Sequence, residues 1–162
     1  MRSFIRNACR CLVDAGVPSG ASRLPMPFRA WAEHAQSLAQ LAARVYVSQV
    51  FILSGLTKIR DWSVTLALFQ DEYQVPLLPP ELAAWLGTAG ELGLPVLLVL
   101  GLGGRFAALG LSVVNVVAVL SLAELAPAAL AGHQLWACLL ILLALWGPGR
   151  WSVDAWRQGR AF

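Results

Sequence analysis

Residues 80–102 run through mostly apolar side chains for a length that crosses a bilayer, and Glu91 sits near their middle. A helix rises 1.5 Å per residue, so about 20 such residues span the roughly 30 Å hydrocarbon core. An ionisable group at that depth costs roughly 3 kcal/mol on insertion scales, so such groups normally face protein and have a partner or a task. Glu91 is therefore the first functional candidate in the chain.

Composition agrees with a membrane protein. Of 162 residues, 58% are hydrophobic and 13% charged, against about 25% charged in soluble domains. Several apolar runs of spanning length cannot all be hidden in a soluble core of this size. The net charge of +3 comes from basic residues scattered among tails and loops, which argues against a nucleic-acid surface and for a topological signal. The cysteines form no disulfide framework: Cys138 lies in an apolar run as a small hydrophobe, and Cys9 and Cys11 lack neighbouring ligands for a metal. With His34 before the first span and His133 near the opposite surface, one protomer cannot build a self-contained haem or zinc site.

Four spans are expected, giving an all-α, integral membrane four-helix bundle. The first covers about residues 41–59, with Arg44, Ser48, Phe51, Gly55 and Lys58 on one face. Its two cations lie about 20 Å apart along the axis. Each can snorkel to its own surface or pair inside the protein. The second covers 80–102; it opens on Pro80 and Glu81, which suit a helix start, and should kink at Pro95. The third covers 105–125. The fourth ends at Trp146 and reaches spanning length only by starting near Pro127.

Residues 61–80 combine an amphipathic pattern, Trp62, Leu66, Phe69 and Tyr73, with a proline-rich turn, so a surface helix and rigid turn are expected. Gly101, Gly103 and Gly104 mark a tight helical hairpin; no strand precedes them, as a nucleotide-binding loop would require. Residues 1–37 lack the apolar core of a cleaved signal and read as a loose, retained tail, with Met26 an alternative start. Phe28, Trp31, Ala32, Ala35 and Leu38 fall at helical spacing, either as an interfacial helix or as an extension of the first span. The membrane domain is 38–156, with 157–162 a short tail. Basic tails and Arg105 contrast with acidic Asp61, Asp71, Glu72 and Glu124 in the other loops, so both termini should face the cytoplasm. Trp62, Trp85 and Trp136 would mark the outer interface, and Trp31, Trp146 and Trp151 the inner one.

Glu91 has Thr88 one turn earlier, with Gln49 on the first span and Asn115 on the third expected at similar depth. One reading makes these polar groups glue between helices, at about 0.6–2 kcal/mol per hydrogen bond. The other makes Glu91 a proton-handling carboxylate, unless Arg44 or Lys58 comes close enough to hold it ionised.

Arg44, the stretch Phe51-Ile52-Leu53-Ser54-Gly55-Leu56-Thr57-Lys58, Gly90-Glu91-Leu92, Leu100-Gly101-Leu102, Arg105 and Gly147-Pro148-Gly149-Arg150-Trp151-Ser152-Val153-Asp154 together resemble the DoxX family of small bacterial membrane proteins. The resemblance covers roughly residues 41–154 and carries the family's recurrent charged positions onto Arg44, Lys58, Glu91 and Arg105. It implies a multi-pass protein of the bacterial cytoplasmic (inner) membrane. Some members resemble subunits of quinone-linked sulfur oxidoreductases, which implies an accessory or subunit of a redox system, with a quinone supplied by a membrane or membrane-associated protein partner. A homo-oligomeric transporter or export helper and a membrane scaffold are the competing classes, since fold alone does not set activity. No nucleophile–base pair or cofactor motif argues for an autonomous enzyme.

Overall fold

The computed structural model describes residues 26–75 and 77–159, which form helices α1 (Met26–Arg60), α2 (Trp62–Asp71), α3 (Pro80–Leu100), α4 (Gly104–Ser121), α5 (Pro127–Trp146) and α6 (Val153–Arg157). No strand occurs among the described residues. Helices α1, α3, α4 and α5 are long and apolar enough to cross a membrane. Cys9, Cys11 and the tail before Met26 lie outside the described residues.

Local chemistry explains most boundaries. Pro80 and Pro127 start α3 and α5 at the position where the missing N–H is no loss. Asp61 caps α2 by accepting from the Val64 N–H at 3.1 Å. The first span and the periodic segment before it form one continuous helix, so the helical extension, not a separate interfacial helix, is what this chain builds. Its length, about 52 Å at 1.5 Å per residue, exceeds the hydrocarbon core. The third span stops at Ser121, short of the expected 125, because Leu122 turns extended and the Ser121 carbonyl accepts from Gln74 N–H at 2.9 Å. Helix α3 continues through Pro95. Ser48 Oγ donates to the Pro95 carbonyl at 3.1 Å, tying α1 to α3 beside the proline.

Helix α1 packs mainly on α3, α3 on α4 and α4 on α5, with α5 returning more lightly to α1. The core between them joins Val47, Phe51, Leu98, Ala107, Ala108, Leu111, Leu140 and Leu143. Small residues bring the backbones close, as membrane helices require where lipid leaves no hydrophobic drive for association. A second cluster seats Phe69 of α2 on Ala83 and Ala84, so α2 covers the first half of α3. Helix α5 is the most outward of the spans: Leu135, Ile141, Leu142 and Leu145 are exposed, which suits a face against acyl chains.

The end of the molecule away from α2 is closed by residues 147–157. Arg44 is fully buried there; Nη1 donates to the Val99 carbonyl at 3.2 Å and Nη2 to the Trp151 carbonyl. Asp154 Oδ2 accepts from Gly104 N–H at 3.1 Å, and Asp154 N–H donates to the Gly101 carbonyl at 3.1 Å. Ser152 caps α6 through its hydroxyl, which accepts from Ala155 N–H at 3.1 Å. Arg150 meets Glu33 at 2.8 Å, and Gln40 reaches the Gly147 carbonyl at 3.4 Å.

Gly101 sits at φ 65°, and a Cβ there would meet Arg44 Nη1 and Ser152 Cβ, each at 2.4 Å. Gly101→Ala should therefore lower the melting temperature of the detergent-solubilised protein, at a cost of at least ~1–2 kcal/mol. Gly93→Ala, whose Cβ meets nothing within 4 Å, should melt within a few degrees of the parent. Equal melting of the two variants would contradict the close packing of Gly101 against Arg44 and Ser152.

Candidate functional site

Lys58 lies in the last turn of α1, where its ammonium reaches across to α3. Its Nζ meets Glu91 Oε2 at 2.5 Å and donates to Ser54 Oγ, one turn earlier, at 3.1 Å. Gly55 makes this approach possible: a Cβ there would lie 2.8 Å from Leu92 Cγ and 3.2 Å from Glu91 Cβ. Both charged side chains are largely buried, with 18% of the Lys58 side chain and 9% of the Glu91 side chain exposed. Two charges so far out of water remain tolerable because each neutralises the other at contact distance.

The pair forms one wall of a cavity of about 410 Å³ beneath α2. Phe51 and Ser54 of α1, Phe69 of α2 and Val113, Val114 and Val117 of α4 also line it, with Tyr73, Ser121, His133 and Trp136 adding polar atoms. Tyr73 lies just past α2; burial, then the charges of Glu72 and Glu91, raise its phenol above the ordinary tyrosine range, so it presents a neutral hydroxyl.

On the α5 side, Asn115 and His133 lock together. Asn115 Nδ2 donates to the His133 carbonyl at 3.0 Å, which turns Oδ1 toward His133 Nδ1 at 2.8 Å. The imidazole stacks edge-on to Trp136, with ring centroids 4.8 Å apart. Trp136 packs edge-on to Phe51 at 6.1 Å, and its Nε1 is buried without a hydrogen-bond partner.

Among the residues singled out from sequence, Lys58 and Glu91 meet directly. Thr88 is buried one turn before Glu91, with its hydroxyl unpartnered. Asn115 bonds His133 rather than Glu91. Gln49 is exposed on the outer face of α1 and takes no part. Arg44 lies midway along α1, beside the C-terminal end of α3, and Arg105 donates to the Leu145 carbonyl at 3.3 Å at that same end of the bundle. Neither reaches Glu91.

His133, Trp136 and Tyr73 are the lining groups that sequence reasoning passed over. A signal existed for His133: it lies about 9 Å along α5 from the end near α2, and Asn115 lies about 9 Å along α4 from its matching end.

A family model described as DoxX matches residues 39–124, more than half of the chain. That stretch holds Lys58, Glu91 and Asn115 and stops before His133 and the 147–154 segment. Comparisons with curated proteins and with solved structures gave no match.

The ion pair invites a double-mutant cycle. Lys58→Met leaves Glu91 without its partner and should cost about 3 kcal/mol, in the range for breaking a buried pair. Adding Glu91→Leu should recover most of that loss, because no uncompensated charge remains. Melting of the two single variants and the double variant in detergent measures the coupling, and additive losses would show that the two groups are independent.

Proposed function

Because this chain belongs to the DoxX family, we propose that it serves as a membrane-embedded accessory or subunit of a redox system whose cavity receives a lipid-soluble carrier of the quinone class. One observation carries this reading: a charged pair, Lys58 and Glu91, set into an otherwise largely apolar cavity among membrane-length helices. The volume, about 410 Å³, falls in the ~300–1,000 Å³ range of small-molecule sites. Such sites join apolar walls, which suit an isoprenoid or ring, to a few polar groups that orient the head. The family resemblance supplies the redox direction, through members that resemble subunits of quinone-linked oxidoreductases.

In this reading the remaining Lys58 ammonium proton is the donor that orients a carbonyl of the head group, and Glu91 holds that ammonium in place. Both termini lie in the cytoplasm, as the distribution of arginines favours, so the cavity opens within the outer half of the membrane. A reporter active only outside the cytoplasm should signal when fused after Gln74 and stay silent when fused after Gly103.

Protein purified in mild detergent from its own membranes should carry co-extracted quinone, detected by mass spectrometry. Glu91→Gln removes the charge while keeping the shape, and should weaken binding of added short-chain quinone about tenfold at normal abundance. A protein that neither carries nor binds quinone would overturn this reading in favour of transport or scaffolding.

A further inference from the structure

We propose that the cavity selects the hydroxyl form of its ligand, a quinol over the corresponding quinone, through a lone pair that Asn115 fixes on His133. The inference rests on the reading of the cavity as a site for a quinone-class carrier. It concerns residues that the family match reaches only in part, since His133 lies beyond residue 124.

The argument starts at the Asn115 amide. The His133 carbonyl can only accept, so the atom 3.0 Å from it must be the amide nitrogen of Asn115. The amide oxygen then faces His133 Nδ1 at 2.8 Å, and because that oxygen can only accept, Nδ1 must carry the proton. In the neutral ring this leaves Nε2 as a bare acceptor, and it makes no hydrogen bond with the described residues. Contact with Trp136 further restrains the ring in the wall of the cavity. Asn115 is thus a positioning residue, and His133 is the group that meets the ligand.

The opposite wall has a second acceptor to spare. Glu91 Oε2 is taken by Lys58, while Oε1 makes no hydrogen bond with the described residues. Lys58 has spent two of its three protons, on Glu91 and Ser54. A quinone carbonyl can take the remaining ammonium proton at this wall. At the His133 wall, however, it would set its own lone pairs against Nε2. A quinol has a hydroxyl at each end of its ring and can donate at both walls, to Glu91 and to His133. The discrimination therefore lies at His133, where an unmet acceptor penalises the oxidised form.

The test uses the full-length protein in lipid nanodiscs, with decylubiquinone and, under anaerobic conditions, decylubiquinol as probes in titration calorimetry. The quinol should bind about tenfold more tightly than the quinone. Linkage then raises the two-electron midpoint potential of the bound carrier by about 30 mV. His133→Phe keeps an aromatic ring beside Trp136 but has no acceptor, so it should bring the affinity ratio close to one and the potential shift close to zero. Asn115→Leu frees the tautomer and should reduce the preference for quinol, and the double variant avoids leaving a lone buried amide. Equal affinity of the native protein for both forms, or an unchanged ratio in His133→Phe, would overturn this inference while leaving the site's role in carrier binding intact. Failure of both probes to bind would overturn both readings together.

Discussion

A buried charge without a partner is the constraint around which this structure is organised, because hydrocarbon supplies no water to satisfy it. Helix α1 carries two cations on one face, and α3 answers both in different ways. Lys58 is met by a counter-charge, Glu91. Arg44 is met by carbonyl oxygens at the C-terminal end of α3 and in the segment before α6. The last turn of a helix has carbonyls with no intrahelical donor and a partial negative charge from the aligned peptide dipoles. Leu97 and Leu98 give their carbonyls to the N–H groups of the following glycine turn. Val99 gives its carbonyl to Arg44, and the glycine turn itself gives a carbonyl to Asp154. The left-handed turn at Gly101, Ser152 and the fold-back of residues 147–157 all meet around that one guanidinium.

The two solutions have different chemical consequences. Around Arg44 the protein closes completely, leaving the guanidinium on backbone carbonyls. Around Lys58 it stays open, because α2 roofs over the first half of α3 through Phe69 without filling the space between α3, α4 and α5. A charged pair at the rim of an apolar cavity is a place where a polar head can bind while its apolar body remains among side chains like those of the lipid. The Asn115–His133 lock across the cavity adds an acceptor of defined direction. The cavity thus has polar groups on two walls, the Lys58–Glu91 pair on one and His133 on the other.

Much of this was legible from the chain itself. Runs of apolar residues at spanning length, with proline at two helix starts and glycine between spans, mark the helices, and Glu91 stands out because a carboxylate there is costly. Lys58 and Arg44 share a face at steps of four and three, so that both point at one neighbour is a consequence of helical geometry. Which of them meets Glu91 was not legible, since each lies within snorkelling reach of a surface and the choice depends on how far α3 slides along α1. Gly55 against Leu92 sets that slide. Gln49 illustrates the same limit: its depth suited a polar cluster, but its direction around α1 places it on the outer face.

The amino-acid sequence by itself determined a membrane composition, four segments long and apolar enough to cross a bilayer and one carboxylate that must be accounted for, because these follow from length, hydropathy and the cost of desolvation along a single segment. Only the tertiary structure decided that Lys58 is the partner, that Arg44 closes the other end on carbonyls, and that His133 joins the cavity through Asn115. Each of those depends on rotation and register between helices far apart in sequence, and those are settled by side-chain contact between segments rather than by the properties of any one of them.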